Sequence, residues 1–174
     1  DIDVETARAK AEQYFGHIAP GPALTRPGVW TAARTASTRE TMYDQVAQPR
    51  WQRYWNTPPD NTRDSEYLGL VGEILGGGKT SRLYERLVYR ERLADSAGAG
   101  QSPLEIAGLF TLSADVKQGV PVARVEAAMM EELQRFIDTG PTKAELERAK
   151  IAIRAGFVRG LERIGGFGGK ADVL

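Results

Sequence analysis

GEILGGGKTSRLYERL, residues 72–87, holds the glycine cluster on which the reading of the whole chain turns. A phosphate-binding loop needs Gly, four residues, then Gly-Lys-Ser/Thr, so that consecutive backbone N–H groups wrap an anion at a helix N-terminus. Gly78-Lys79-Thr80 fits the end of that pattern, but its first glycine falls at Glu73, whose carboxylate repels phosphate, and Gly72 stands one place too early. The preceding residues Tyr67, Leu68, Val71, Ile74 and Leu75 recur at helical spacing, where a phosphate loop would follow a strand. The stretch therefore reads as a joint between two helices, 63–75 and 80–91. Its glycines let the chain reverse through positive φ, and Thr80 or Ser81 caps the second helix. In that helix Leu83 and Leu87 face inward, while Arg82, Arg86, Arg90 and Arg92, interleaved with Glu85 and Glu91, read as a solvated face.

Upstream of the joint, Asp3 is placed to cap a helix striped with Val4, Ala7, Ala11, Tyr14 and Phe15, with Gly16 as its left-handed stop. PGPALTRPG, residues 20–28, is a breaker-rich connector internal to the domain. Residues 29–57 carry all three Trp, and their β-branched and aromatic content predicts strands near 30–37, 40–47 and 50–56. In the last of these, Trp51, Arg53 and Trp55 share one face, and Gln52, Tyr54 and Asn56 the other; Trp in a strand is more often core than a stacking platform.

Downstream, ADSAGAGQ at 94–101 is small enough to be a strand that something approaches closely. Ile106, Gly108, Phe110, Leu112, Ala114 and Val116 alternate with Ala107, Leu109, Thr111, Ser113 and Asp115, the clearest strand in the chain. A helix then opens at Pro121, stripes Val122, Val125, Met129, Leu133, Phe136 and Ile137, and stops at Gly140. The last helix starts from a Thr142–Glu145 capping box and aligns Leu146, Ala149, Ile153, Phe157, Leu161 and Ile164. The order predicts an α+β fold with a mostly antiparallel sheet covered by helices on one face, as one domain over 1–174.

The chemistry available is narrow. The 174 residues hold 23 basic and 23 acidic side chains, one His and no Cys, which removes thiolate sites and any overall field toward nucleic acid. No apolar run reaches the length of a membrane span. Zinc needs converging ligands, and His17 stands alone beside Gly16, where a surface role fits better than a ligand; nor does a G-x-S-x-G elbow accompany it. The acids at Glu131, Glu132, Glu145, Glu147 and Asp44 are not arranged for paired carboxylate catalysis, since neighbouring helical carboxylates diverge and the 145/147 pair suits a helix start.

Four strings nonetheless carry a resemblance: DIDVETARAKAEQYFGHIAPGP, ILGGGKTSRLYERLVYRERLADSAGAG, IAGLFTLSADVKQGV and GPTKAELERAKIAIRAGFVRGLERIGGFGGKADVL. In this order they resemble the insulinase/pitrilysin family of zinc metallopeptidases, with LGGG-x-x-SRLY the most specific part. The resemblance implies an inverted His-x-x-Glu-His zinc motif upstream of these residues, so that this chain is the second, metal-free half of a module. It implies peptide hydrolysis in a chamber between two modules, with zinc in the parent protein, none bound by this segment, and no catalytic or metal residue here. An Arg and a Tyr seven places apart contact substrate in the family's non-catalytic module; Val88 and Asp95 stand at those places, and Arg90 or Arg92 fits only by a register shift, so no substrate-binding residue is carried over. The departure favours the zinc-bearing module, the alternative being a silent peptide- or partner-binding module. Bacterial export to the periplasm is the expected location, a cytoplasmic one staying open.

Overall fold

The computed structural model describes residues 2–162 together with Ile164 and Lys170. The ends of the 1–174 domain assignment and of the last family-like string lie outside the described residues. The elements run α1 (Val4–Phe15), β1 (Arg50–Thr57), α2 (Arg63–Gly76), a π-helix (Tyr84–Arg90), β2 (Ala94–Pro103), β3 (Gly108–Val116), α3 (Val122–Thr139) and α4 (Lys143–Glu162). The three strands form one antiparallel sheet in the order β1-β3-β2, which gives the expected α+β class.

The alternation read in β3 is what orients everything else. Gly108, Phe110, Leu112, Ala114 and Val116 are buried, and the residues between them are not. Register then brings Trp51, Ala114 and Ala97 into one inward row and Arg53, Leu112 and Ala99 into the next. Among the described residues helices cover this face only, as expected. Leu75, Leu83, Leu87, Val125 and Met129 from α2, the π-helix region and α3 are fully buried against it, each large side chain contributing about 1.5–3 kcal/mol by leaving water.

The tightest contact joins α2 to β2. Gly72 and Gly76 lie one turn apart on the face of α2 that meets Gly98, Ala99 and Gly100. A Cβ at Gly72 would stand 3.0 Å from the Gly100 Cα, and one at Gly76 would overlap the Ala99 amide nitrogen. The small-residue strand is thus approached by a backbone, as its composition suggests. Only Gly78 of the glycine run takes positive φ, at 82°.

Several local expectations are corrected. Residues 30–37 and 40–47 form no strands: β-branched content supplies propensity but no pairing partner, and only fragmentary bonds reach them, such as Asn56 Nδ2 donating to the Ala32 carbonyl at 2.8 Å. Trp30 is 71% exposed, whereas Trp51 is core. The second helix of the joint is π-helical over 84–90, its Glu91 N–H donating five residues back to the Arg86 carbonyl. Ser81 does not cap it, since its hydroxyl donates back to the Gly78 carbonyl at 2.7 Å. Gly16 ends α1 at φ −60°, not in the left-handed region. The Asp3 cap and the Thr142–Glu145 box both form.

The glycine contact makes a paired prediction. Gly76→Ala forces backbone apart and should lower unfolding free energy by about 3 kcal/mol. Gly69→Ala, in the same helix with open space at its Cβ, should raise it by about 0.7 kcal/mol. Urea denaturation measures both, and equal effects at the two positions would refute the close-approach account.

Candidate functional site

With helices on one face, the sheet presents a second, polar face. Register lines it with four rows across β1, β3 and β2: Arg50–Asp115–Ser96, Gln52–Ser113–Gly98, Tyr54–Thr111–Gly100 and Asn56–Leu109–Ser102. Gly98 and Gly100 raise no side chain, so the β2 side is a shallow floor beside the taller β1 side, where Tyr54 is 51% exposed. One end is fixed by Asp115, which accepts from Arg50 Nε at 2.6 Å and from the Ser96 hydroxyl at 2.7 Å. Those two bonds hold its carboxyl below the ordinary range. Hydroxyl, amide and phenol groups over a flat floor suit the alternating polar groups of an extended peptide. They include no base-activated nucleophile.

The helical side carries the other polar concentration. An open cleft of about 720 Å³ is lined by Arg82, Arg86, Arg90 and Arg135 with Glu85, Glu91, Glu131 and Glu132. Arg86 sits at its centre, its Nε 2.7 Å from Glu91, one terminal nitrogen 2.5 Å from Glu131 and the other 3.7 Å from the fully buried Glu132. Arg135 also pairs with Glu132, and Arg90 with Glu85. The cationic groups are matched by carboxylates, so the cleft is a weld between the π-helix and α3 and not an anion receptor. The solvated-face reading holds for Arg90 but not for Arg82 and Arg86, whose side chains are mostly buried.

Arg82, the arginine of the SRLY string, has a structural task. It donates to both carboxylate oxygens of Glu145 at 2.7 and 2.8 Å and to the Gly140 carbonyl at 2.9 Å, with its guanidinium 5.1 Å from the Phe136 ring centre. One side chain thus ties the joint to the end of α3 and the start of α4. The Arg82 hydrogen bond, aided by the Thr142 backbone and hydroxyl, draws the Glu145 carboxyl from 4.5 down to about 2.

The other candidates disperse. His17 and Asp44 are exposed, and Asp44 turns back to the Gln45 N–H. Glu147 meets Lys150, Val88 is half-buried in the π-helix, and Asp95 is exposed at the irregularity between Ala94 and Ser96. Among the described residues no three His, Asp or Glu side chains gather where a metal ion could be held, and no buried side-chain nitrogen or oxygen lacks a hydrogen-bond partner. The sheet's polar face was signalled in the sequence only by the residues between the apolar ones of β3 and by Gln52, Tyr54 and Asn56.

Because the folded Glu145 carboxyl titrates below its ordinary value, its stabilisation is complete above pH 4.5 and is lost as pH falls toward 2. Arg82 stays charged throughout and adds no slope of its own. At most about 3 kcal/mol is at stake. Thermal melts of Glu145→Gln should be less stable at neutral pH and should lack that part of the acid limb; an unchanged limb would contradict the assignment.

The family description "Peptidase M16 inactive domain" matches residues 1–153. The chain is 28% identical over 108 residues to zinc protease PqqE of Helicobacter pylori, covering 62% of this chain and 24% of that protein. It is 28% identical over 95 residues to an uncharacterized zinc protease of Rickettsia bellii, covering 55% and 23%. The chain thus spans about a quarter of the length of these relatives. Its fold is similar to that of a protease from Helicobacter pylori, with TM-score 0.74, 23% identity and coverage of 93% of this chain and 40% of that one. It is also similar to a peptidase M16 inactive domain from Pseudomonas fluorescens, with TM-score 0.67, 19% identity and coverage of 88% and 37%. The resemblance carried by LGGG-x-x-SRLY is therefore one of descent, and this chain belongs to the insulinase-type peptidase M16 family as an example of its inactive domain.

Proposed function

We propose that this chain, taken as one domain over 1–174, is the metal-free half of a zinc metallopeptidase, and that it walls the cleft in which an extended peptide lies. The observation that carries the proposal is the one-sided sheet, whose uncovered rows of Gln52, Tyr54, Thr111 and Ser113 adjoin a glycine floor. The names of the relatives, both zinc proteases, support a parent enzyme that hydrolyses peptides. The residues present do not fit a zinc site: His17 is the one histidine and is exposed, and no carboxylate cluster accompanies it among the described residues. Metal and water activation are therefore assigned to a companion half, and this half orients substrate.

Membership of the inactive-domain family favours a second reading, in which the chain is a non-catalytic module that binds a peptide or partner without cleavage. Two measurements separate these readings. After dialysis against zinc this chain should retain less than one equivalent; a stoichiometric, tightly held ion would overturn the metal-free assignment. In the full-length polypeptide, Tyr54→Ala should raise KM for peptide about tenfold with kcat nearly unchanged, the signature of about 1.4 kcal/mol of uniform binding lost. Absence of hydrolysis by the intact parent would select the second reading, and an unmoved KM would remove the sheet face from the substrate path.

A further inference from the structure

One side of β1 is bare. The Val116 N–H donates to the Pro49 carbonyl at 2.8 Å, and in an antiparallel ladder bonded and unbonded pairs alternate. Trp51, Arg53, Trp55 and Thr57 therefore turn their backbone groups toward β3, and Arg50, Gln52, Tyr54 and Asn56 turn theirs outward. Among the described residues no backbone group pairs with those four on the outer side.

The segment that precedes β1 runs beside this edge in the opposite direction. The Thr31 hydroxyl donates to the Thr57 carbonyl at 3.5 Å, and the Asn56 side-chain amide donates to the Ala32 carbonyl at 2.8 Å. Both contacts belong to one antiparallel register, which continues with Arg34 opposite Tyr54, Ala36 opposite Gln52 and Thr38 opposite Arg50. Thr31 and Ala32 are half-buried, whereas residues 33–40 are exposed and the chain bends away at Thr35 and Ala36. It returns to the body at Arg39, whose terminal nitrogens donate to the two carboxylate oxygens of Glu126 on α3 at 3.0 and 2.7 Å. The stretch between these anchors matches the bare edge in length, since Ala32 to Thr38 and Asn56 to Arg50 each span about 20 Å when extended. It matches in composition too, because WTAARTAST is rich in Thr and has neither Gly nor Pro.

We propose that residues 30–38 are a strap that closes on β1 as a fourth strand, the backbone of Ala32, Arg34, Ala36 and Thr38 bonding to that of Asn56, Tyr54, Gln52 and Arg50. Paired residues of a ladder share a face of the sheet. Closure therefore lengthens every polar row by one position and sets Arg34 beside Tyr54, so that the uncharged Tyr54–Thr111–Gly100 row gains a cation. The polar face thus has two states that differ in width and in charge. Strap closure is a property of this chain alone and holds whether or not the parent hydrolyses peptides.

The test is register-specific cross-linking in the full-length polypeptide that carries this chain, whose 174 residues hold no cysteine. Ala36→Cys is combined with Gln52→Cys, and disulfide formation under a mild oxidant is located by mass spectrometry. The Cα atoms of a bonded ladder pair stand about 5.5 Å apart, within disulfide reach. Ser37→Cys with Gln52→Cys is the control, since position 37 of a closed strap points to the other face. Positions 36, 37 and 52 are all exposed, so these changes spare the core. The 36–52 bond should form at least fivefold faster than the 37–52 bond, and adding Arg34→Pro, which removes a ladder donor, should bring the two rates together. Equal rates without Arg34→Pro, a preference that survives it, or no bond at 36–52 overturns the proposal. Hydrogen exchange reads the same closure without cysteines: Arg34→Pro should speed exchange of the Tyr54 amide at least twofold and leave that of Arg53, which faces β3, unchanged. An unmoved Tyr54 amide also overturns it.

Discussion

The structure depends first on how near one helix can come to one strand. At Gly72 and Gly76 the α2 backbone rests on the Gly98–Gly100 backbone with no side chain between them. This brings Leu75 down to the sheet, where it is fully buried. It also sets the angle at which the chain leaves α2, because Gly77 and the positive φ of Gly78 follow at once. The glycines that imitate a phosphate loop in the sequence thus serve packing, and their spacing of four is that of adjacent positions on one helix face.

Around that contact, charge does what apolar burial alone does not. The π-helix has one more residue per closed ring than an α-helix, and arginines hold its approach and its middle. Arg82 fastens its start to the α3–α4 corner, and Arg86 fastens its middle to α3 through Glu131, Glu132 and the Ala128 carbonyl. A buried carboxylate such as Glu132 is costly unless matched, and here two guanidinium groups meet it. The helical layer is consequently cross-tied by ion pairs where it supports the sheet, and the polar face opposite is presented on that frame.

What the sequence disclosed follows from where the signals were physical. Strict alternation in β3, the Thr142–Glu145 box, the Asp3 cap and the small-residue character of 94–101 each reflect a constraint local enough to read, and each is found in place. The failures are of the opposite kind. Strands at 30–37 and 40–47 needed partners that no residue pattern could reveal, and the π-helical turn of 84–90 carries no local signal, its Arg86 meeting Glu131 and Glu132 some 45 residues away. Of the candidate site, the alternating residues of β1 and β3 were visible, but their assembly into cross-strand rows required the register. Helices α1 and α4 form where their stripes predict them, yet α1 buries no residue and α4 gives only Ala149 to the core.

The sheet has two edge strands, and each carries features that discourage a foreign strand from joining it. On β2 these are the irregularity between Ala94 and Ser96, the terminal Pro103 and a glycine-rich middle with little intrinsic taste for extension. On β1, Arg50 leads the strand and Asn56 is engaged by Ala32. Charge, proline and bulges are the means by which natural sheets resist aggregation. A three-stranded sheet so guarded resists pairing at its edges while its broad polar surface stays open to solvent.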